Sequence, residues 1–80
     1  MPRLRLLSRP DCGLCDEFRA ELALLAQTTE LPPVETLDVD SDPELARRYG
    51  LDIPVLLLDG VRVCQHRLDA SELLRLLRPR

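Results

Sequence analysis

Leu4-Arg5-Leu6-Leu7-Ser8-Arg9-Pro10-Asp11-Cys12-Gly13-Leu14-Cys15 is the stretch on which the fold turns. Arg3 to Ser8 alternates in part and then becomes apolar, which predicts a short strand, and Pro10 stops it. From Gly13 to Gln27 the apolar positions Cys15, Phe18, Leu22, Leu25 and Ala26 recur at spacings of three and four, while Asp16, Glu17, Arg19 and Glu21 fall between them. That spacing predicts an amphipathic helix. Two cysteines three apart at a helix start share a face, and the first meets unpaired N–H groups and the positive dipole end, both of which favour a thiolate. A reversible dithiol needs this geometry.

The elements downstream are read the same way. Thr28 to Pro33 is a polar, proline-bearing loop, and Val34 to Val39 reads as a strand. Ser41-Asp42-Pro43-Glu44 carries a capping residue, a first-turn proline and a Glu three residues after Ser41, so a short helix runs through Tyr49 to a glycine cap at Gly50. Val55-Leu56-Leu57-Leu58 is continuously apolar, as a strand covered on both faces must be. Asp59-Gly60 is a two-residue hairpin signal. Beyond it Val61, Val63 and Gln65 take one face of an antiparallel partner, with Arg62, Cys64 and His66 opposite. Asp69 caps a last helix, with Glu72 three on and Leu73, Leu74, Leu76 and Leu77 along it. The order is β-α-β-α-β-β-α. One α/β domain over residues 1–80 is expected, a mixed sheet with helices on both faces. The loop carrying the cysteines then lies at the carboxyl end of the first strand, where open α/β sheets place their sites.

Composition narrows the function. A chain of 80 residues buries only about 60% of its unfolded surface, enough for one core. Nineteen leucines with single Phe18 and Tyr49 and no Trp make that core aliphatic, and stacking on nucleic-acid bases is not expected. Net charge is −3, from 11 arginines and no lysine against 14 carboxylates, so no nucleic-acid partner is expected. The absence of an apolar run of about 18 residues or of a leader-like start argues against membrane partners and for a cytoplasmic protein. Three cysteines are too few for a secreted disulfide scaffold, and in a reducing compartment a C-x-x-C pair is catalytic or metal-binding.

The order of elements, the Cys12-Gly13-Leu14-Cys15 motif and Asp52-Ile53-Pro54 before a buried strand together resemble the glutaredoxin-like branch of the thioredoxin fold. The likeness spans the whole chain. It is nearest to small bacterial glutaredoxin-like proteins with C-x-L-C followed by acidic residues, here Asp16 and Glu17, and a later Asp42-Pro43-Glu44-Leu45 helix start. The resemblance implies a thioredoxin-like, glutaredoxin-type α/β fold: a four-stranded mixed sheet flanked by three helices. It implies that Cys12 is the exposed nucleophile, Cys15 the buried resolving thiol and Pro54 a cis-proline beside them. It further implies that the backbone of Ile53 pairs with an incoming peptide or glutathione as an added strand. Two departures stand out. Gly13-Leu14 replaces the family's usual Pro-Tyr, removing an aromatic contact from the rim of the site, and Gln65-His66 stands where the family carries Gly-Gly to admit glutathione. Asp69 matches the family's acidic residue at the last helix.

The expected activity is thiol–disulfide exchange through Cys12 and Cys15, with no bound cofactor. Glutathione is a candidate co-substrate; a disulfide-bearing protein or glutathione is the expected partner, with a reductase as another source of electrons. Arg9, Gly13, Leu14, Ile53, Pro54, His66 and Asp69 are the expected substrate contacts. Arg9 is also read as a solvated loop charge, and with the helix end it favours the thiolate that Asp11, Asp16 and Glu17 disfavour. The rival reading is a non-enzymatic metal-binding or interaction module using Cys12, Cys15, Cys64 and His66, the last two sharing a strand face. Cys64 alone reads as a small buried hydrophobe.

Overall fold

Strand β1, Leu4–Ser8, lies between β2, Val34–Asp38, to which it is parallel, and β3, Val55–Leu58, to which it is antiparallel; β4, Val61–Gln65, closes the far edge. The computed structural model describes residues 2–78, so Met1, Pro79 and Arg80 lie outside the described residues. Helices α1 (Gly13–Thr28), α2 (Pro43–Tyr49) and α3 (Ala70–Leu77) connect or follow the strands, and a 3-10 turn, Val39–Ser41, leads into α2. This is the thioredoxin-like arrangement the sequence predicts.

The pleat divides the core into two layers. Leu4 and Leu6 of β1 and Leu56 of β3 meet Phe18 and Leu22 of α1 and Leu73 of α3 on one face. Leu7, Val55 and Leu57 point the other way, against Val39 and Tyr49. Successive strand residues face opposite sides, so the unbroken run Val55-Leu56-Leu57 feeds both layers, and all three are buried. Tyr49 thus packs α2 against the sheet.

Four local readings are corrected. Asp42, not Ser41, caps α2, its Oδ1 accepting from Glu44 N–H at 2.8 Å, because Ser41 is taken up in the 3-10 turn. Val39 likewise leaves the strand for that turn and is buried. Ala26 of α1 is exposed and does not join the buried stripe of Cys15, Phe18 and Leu22. In β4, Leu56 pairs with Cys64 but Leu57 with Arg62, leaving Val63 as an extra residue. This bulge breaks the expected alternation, so Val63 and Cys64 both pack against the first core layer.

The hairpin follows its turn residues: Asp59 and Gly60 take φ of 50° and 84°, the left-handed pair that a two-residue loop of this twist requires.

Candidate active site

Strand register gathers the motifs at one end of the sheet. β1 runs toward Cys12, β3 starts at that same end because Leu7 pairs with Val55, and β4 finishes there because Val55 pairs with Gln65. The Cys12–Cys15 turn, the Ile53–Pro54 bond, His66 and the start of α3 therefore surround one rim.

Cys12 is the N-cap of α1 and is joined to Cys15 by a disulfide, with a Cα–Cα separation of 5.2 Å. This separation lies within the ordinary range for such bridges. Cys12 Sγ accepts a hydrogen bond from the Cys15 backbone N–H at 3.2 Å, and Asp16 N–H donates to the Cys12 carbonyl at 3.1 Å. The two sulfurs differ in access. Cys15 is fully buried, whereas Cys12 is half-buried. Gly13 and Leu14, between them, are exposed, and an added Cβ at Gly13 would meet nothing within 4 Å. Asp11, before Cys12, has φ of 58°, a left-handed turn suited to Asp.

The Ile53–Pro54 peptide bond is cis. Pro54 is buried and its carbonyl accepts from His66 N–H at 2.8 Å, extending the β3–β4 ladder by one rung. Ile53 is half-buried against the second core layer. Leu51, just before it, is 98% exposed. His66 has φ of 68°, and Arg67 N–H donates to the Gln65 carbonyl at 2.7 Å, closing a three-residue turn around it. Such a turn is rare for a side-chain-bearing residue. Glycine would adopt this φ without steric cost, which gives the Gly-Gly departure a physical meaning.

Asp69 caps α3, its Oδ1 accepting from Glu72 N–H at 3.0 Å. Arg9 does not stand free: its Nε and Nη2 donate to the two oxygens of Asp40 at 2.7 and 3.0 Å, and Nη1 reaches the Gly50 carbonyl at 3.5 Å. The hydrogen bonds from Arg9 hold the Asp40 carboxyl below its usual range, and Asp40 raises the guanidinium in turn.

The metal-ligand set expected from the strand pattern does not assemble. His66 lies beyond the end of β4, in a left-handed turn, so it does not continue the strand face of Cys64, and among the described residues no three His, Cys, Asp or Glu side chains converge. Cys64 is a free, half-buried thiol whose pKa is pushed up, first by burial and against a hydrogen bond from the Asp69 backbone.

Sequence reasoning missed the Arg9–Asp40 clasp and the exposure of Leu51. The first joins residues 31 positions apart and leaves no local signal. The second lies in the loop between α2 and the cis-proline, where Leu51 directly follows the buried Tyr49 and Gly50.

Comparison with known proteins follows the same lines. The family model described as "Glutaredoxin-like domain (DUF836)" matches residues 3–78. An uncharacterized protein of Mycobacterium tuberculosis is 34% identical over 80 residues, covering 88% of this chain and 81% of the relative. The solution structure of a protein from Nitrosomonas europaea superposes with a TM-score of 0.80 at 27% identity, covering 90% of this chain and 86% of that one. Glutaredoxin C1 of Populus tremula x tremuloides shares the fold, with a TM-score of 0.50 at 18% identity over 90% of this chain and 70% of its own. Among the described residues no helix is long and apolar enough to cross a membrane.

Proposed function

The chain belongs to the glutaredoxin-like DUF836 family and carries a thioredoxin-fold, redox-type module, and we propose that it is a thiol–disulfide oxidoreductase working through Cys12 and Cys15. The observation that carries this reading is the unequal pair itself: a half-buried Cys12 bonded to a fully buried Cys15 at the head of α1, on the rim that holds the cis Ile53–Pro54 bond.

In the reduced protein the Cys12 thiolate attacks one sulfur of a substrate disulfide. A Cys12–substrate S–S bond forms, the substrate's own S–S bond breaks, and its other sulfur departs as a thiolate that takes up a proton. Cys15, having lost its proton to solvent, then attacks the Cys12 sulfur, restoring the internal disulfide and releasing the second substrate thiol. Two electrons pass from the dithiol to the substrate. The Cys15 N–H that donates to Cys12 Sγ at 3.2 Å supports the attacking thiolate, with the helix N-terminus behind it. Arg9 adds less than its sequence position suggests, since Asp40 already neutralises it.

Ile53, before the buried Pro54, offers main chain to an extended substrate, with Gly13 and Leu14 as the opposite wall. His66 and Asp69 border the same rim. The substrate is a disulfide on a protein or on glutathione, and glutathione or a reductase returns the electrons.

Cys15→Ser tests the division of labour. The expected result is an intact-mass adduct at Cys12 after mixing with a disulfide, stable because no second thiol resolves it. Absence of any adduct, or an adduct at Cys64 alone, contradicts it.

A further inference from the structure

The arginines around the candidate site are already spent on the protein's own carboxylates. Arg9 is held by Asp40 at 2.7 Å, Arg62 by Asp52 at 3.1 Å and Arg67 by Glu21 at 3.4 Å. Arg19 sits 3.6 Å from Asp16. Among the described residues Arg48 is the cation at this end without a carboxylate within 4.0 Å, and its guanidinium lies over the Tyr49 ring at 5.3 Å.

The carboxylates are left in surplus on the same rim. Asp11 precedes Cys12, Glu17 lies in α1 two residues beyond Cys15, and Asp69 begins α3. Asp38 ends β2 and Asp42 begins α2, at the same end of the sheet. None of the five has an arginine within 4.0 Å among the described residues. Beside them the surface is aliphatic, with Leu51 98% and Leu14 38% exposed.

We propose that this site selects its disulfide by charge, taking neutral or basic polypeptide disulfides and disfavouring anionic small ones, glutathione disulfide included. The inference rests on the dithiol activity proposed above and names its substrate class. An incoming carboxylate meets a rim of like charge whose arginines, Arg48 apart, are already paired, whereas an ammonium or guanidinium is drawn toward it and an aliphatic neighbour of the cystine is received by Leu14 and Leu51. Like charges around a cleft lower the local concentration of an anion and raise that of a cation, an effect that salt removes.

Pre-reduced protein, freed of reductant, is mixed in single turnover with cystamine, 2-hydroxyethyl disulfide, 3,3′-dithiodipropionate and glutathione disulfide. Each rate is divided by that of the same disulfide with dithiothreitol, which removes intrinsic reactivity. The expected order is cystamine, then the neutral disulfide, then the two anions, with about a tenfold spread or more at low ionic strength. At about 1 M salt, where the screening length is about 3 Å, the spread collapses. The triple variant Asp11→Asn, Glu17→Gln, Asp69→Asn keeps residues suited to the left-handed turn and the cap while removing three charges, and narrows the spread at low salt. A flat or reversed order in the wild type overturns the proposal, as does a spread that survives high salt or the triple variant. No reaction with any of the disulfides instead removes the dithiol reading on which it stands.

Discussion

The sulfur of Cys12 accepts the backbone N–H of Cys15 at 3.2 Å, so the residue assigned to attack also caps the helix that carries its partner. Capping and chemistry are therefore separable by substitution. Under reducing conditions Cys12→Ser keeps an acceptor at the cap and Cys12→Ala does not, so the alanine variant is expected to be less stable than the serine variant by about 1 kcal/mol, both lacking exchange. Urea denaturation of the two reduced proteins reads the difference; equal stabilities would show that the cap contributes nothing.

His66 is held at φ of 68° by the 2.7 Å bond between Arg67 N–H and the Gln65 carbonyl. A side chain in the left-handed region costs about 1 kcal/mol or more, which glycine avoids and a β-branched residue increases. His66→Gly is thus expected to match or exceed the wild type in thermal midpoint and His66→Val to fall below it. The reverse ranking would mean that the imidazole makes a contact worth more than the strain.

Gly50 ends α2 with an ordinary helical φ of −57°, so its requirement is space and not conformational freedom. A Cβ there would stand 2.5 Å from the Ala46 carbonyl oxygen and 3.4 Å from Arg9 Nη2. Gly50→Ala should destabilise by about 1–3 kcal/mol, the ordinary cost of forcing atoms into an occupied position. A thermal midpoint equal to the wild type would show that the loop before Leu51 yields freely.

Hydrogen bonds from Arg9 lower the pKa of Asp40, favouring its carboxylate. A depressed folded value means that the pair's contribution is fully present above the ordinary carboxylate range and is lost as pH falls through the folded value. The stability gap between wild type and Asp40→Asn is therefore expected at about pH 7 and should close toward about pH 2, as followed by urea midpoints. A gap that widens in acid contradicts the assignment.

Where a residue's role is set by its near neighbours, the chain announces it. Cys12 at a helix start, Asp59-Gly60 between apolar runs and Asp69 three residues before Glu72 each carry their geometry locally, and all three hold. The helices and strands follow because burial is periodic, as Phe18 and Leu22 on one side of the sheet and Leu57 on the other illustrate. Features that depend on partners distant in sequence are silent. The bulge at Val63 depends on how β4 meets Leu56 and Leu57, and it undoes the face that Arg62 and Cys64 were expected to share, while the turn at His66 takes that residue out of the strand. Arg9 read as a free charge because Asp40 stands 31 residues away. The charge imbalance at the site is invisible for the same reason: a net charge of −3 gives no hint of which arginines are already paired.

The most direct test is to equilibrate the protein across a graded glutathione redox buffer, quench with an alkylating agent and count modified cysteines by intact mass. The account predicts one reversible two-thiol transition confined to Cys12 and Cys15, with a potential between about −270 and −180 mV, while Cys64, half-buried and with its pKa raised, stays a reduced thiol throughout, counted once the quenched protein is unfolded. Thiols at Cys12 and Cys15 that never pair across the buffer range, or a transition that depends on Cys64, would contradict it.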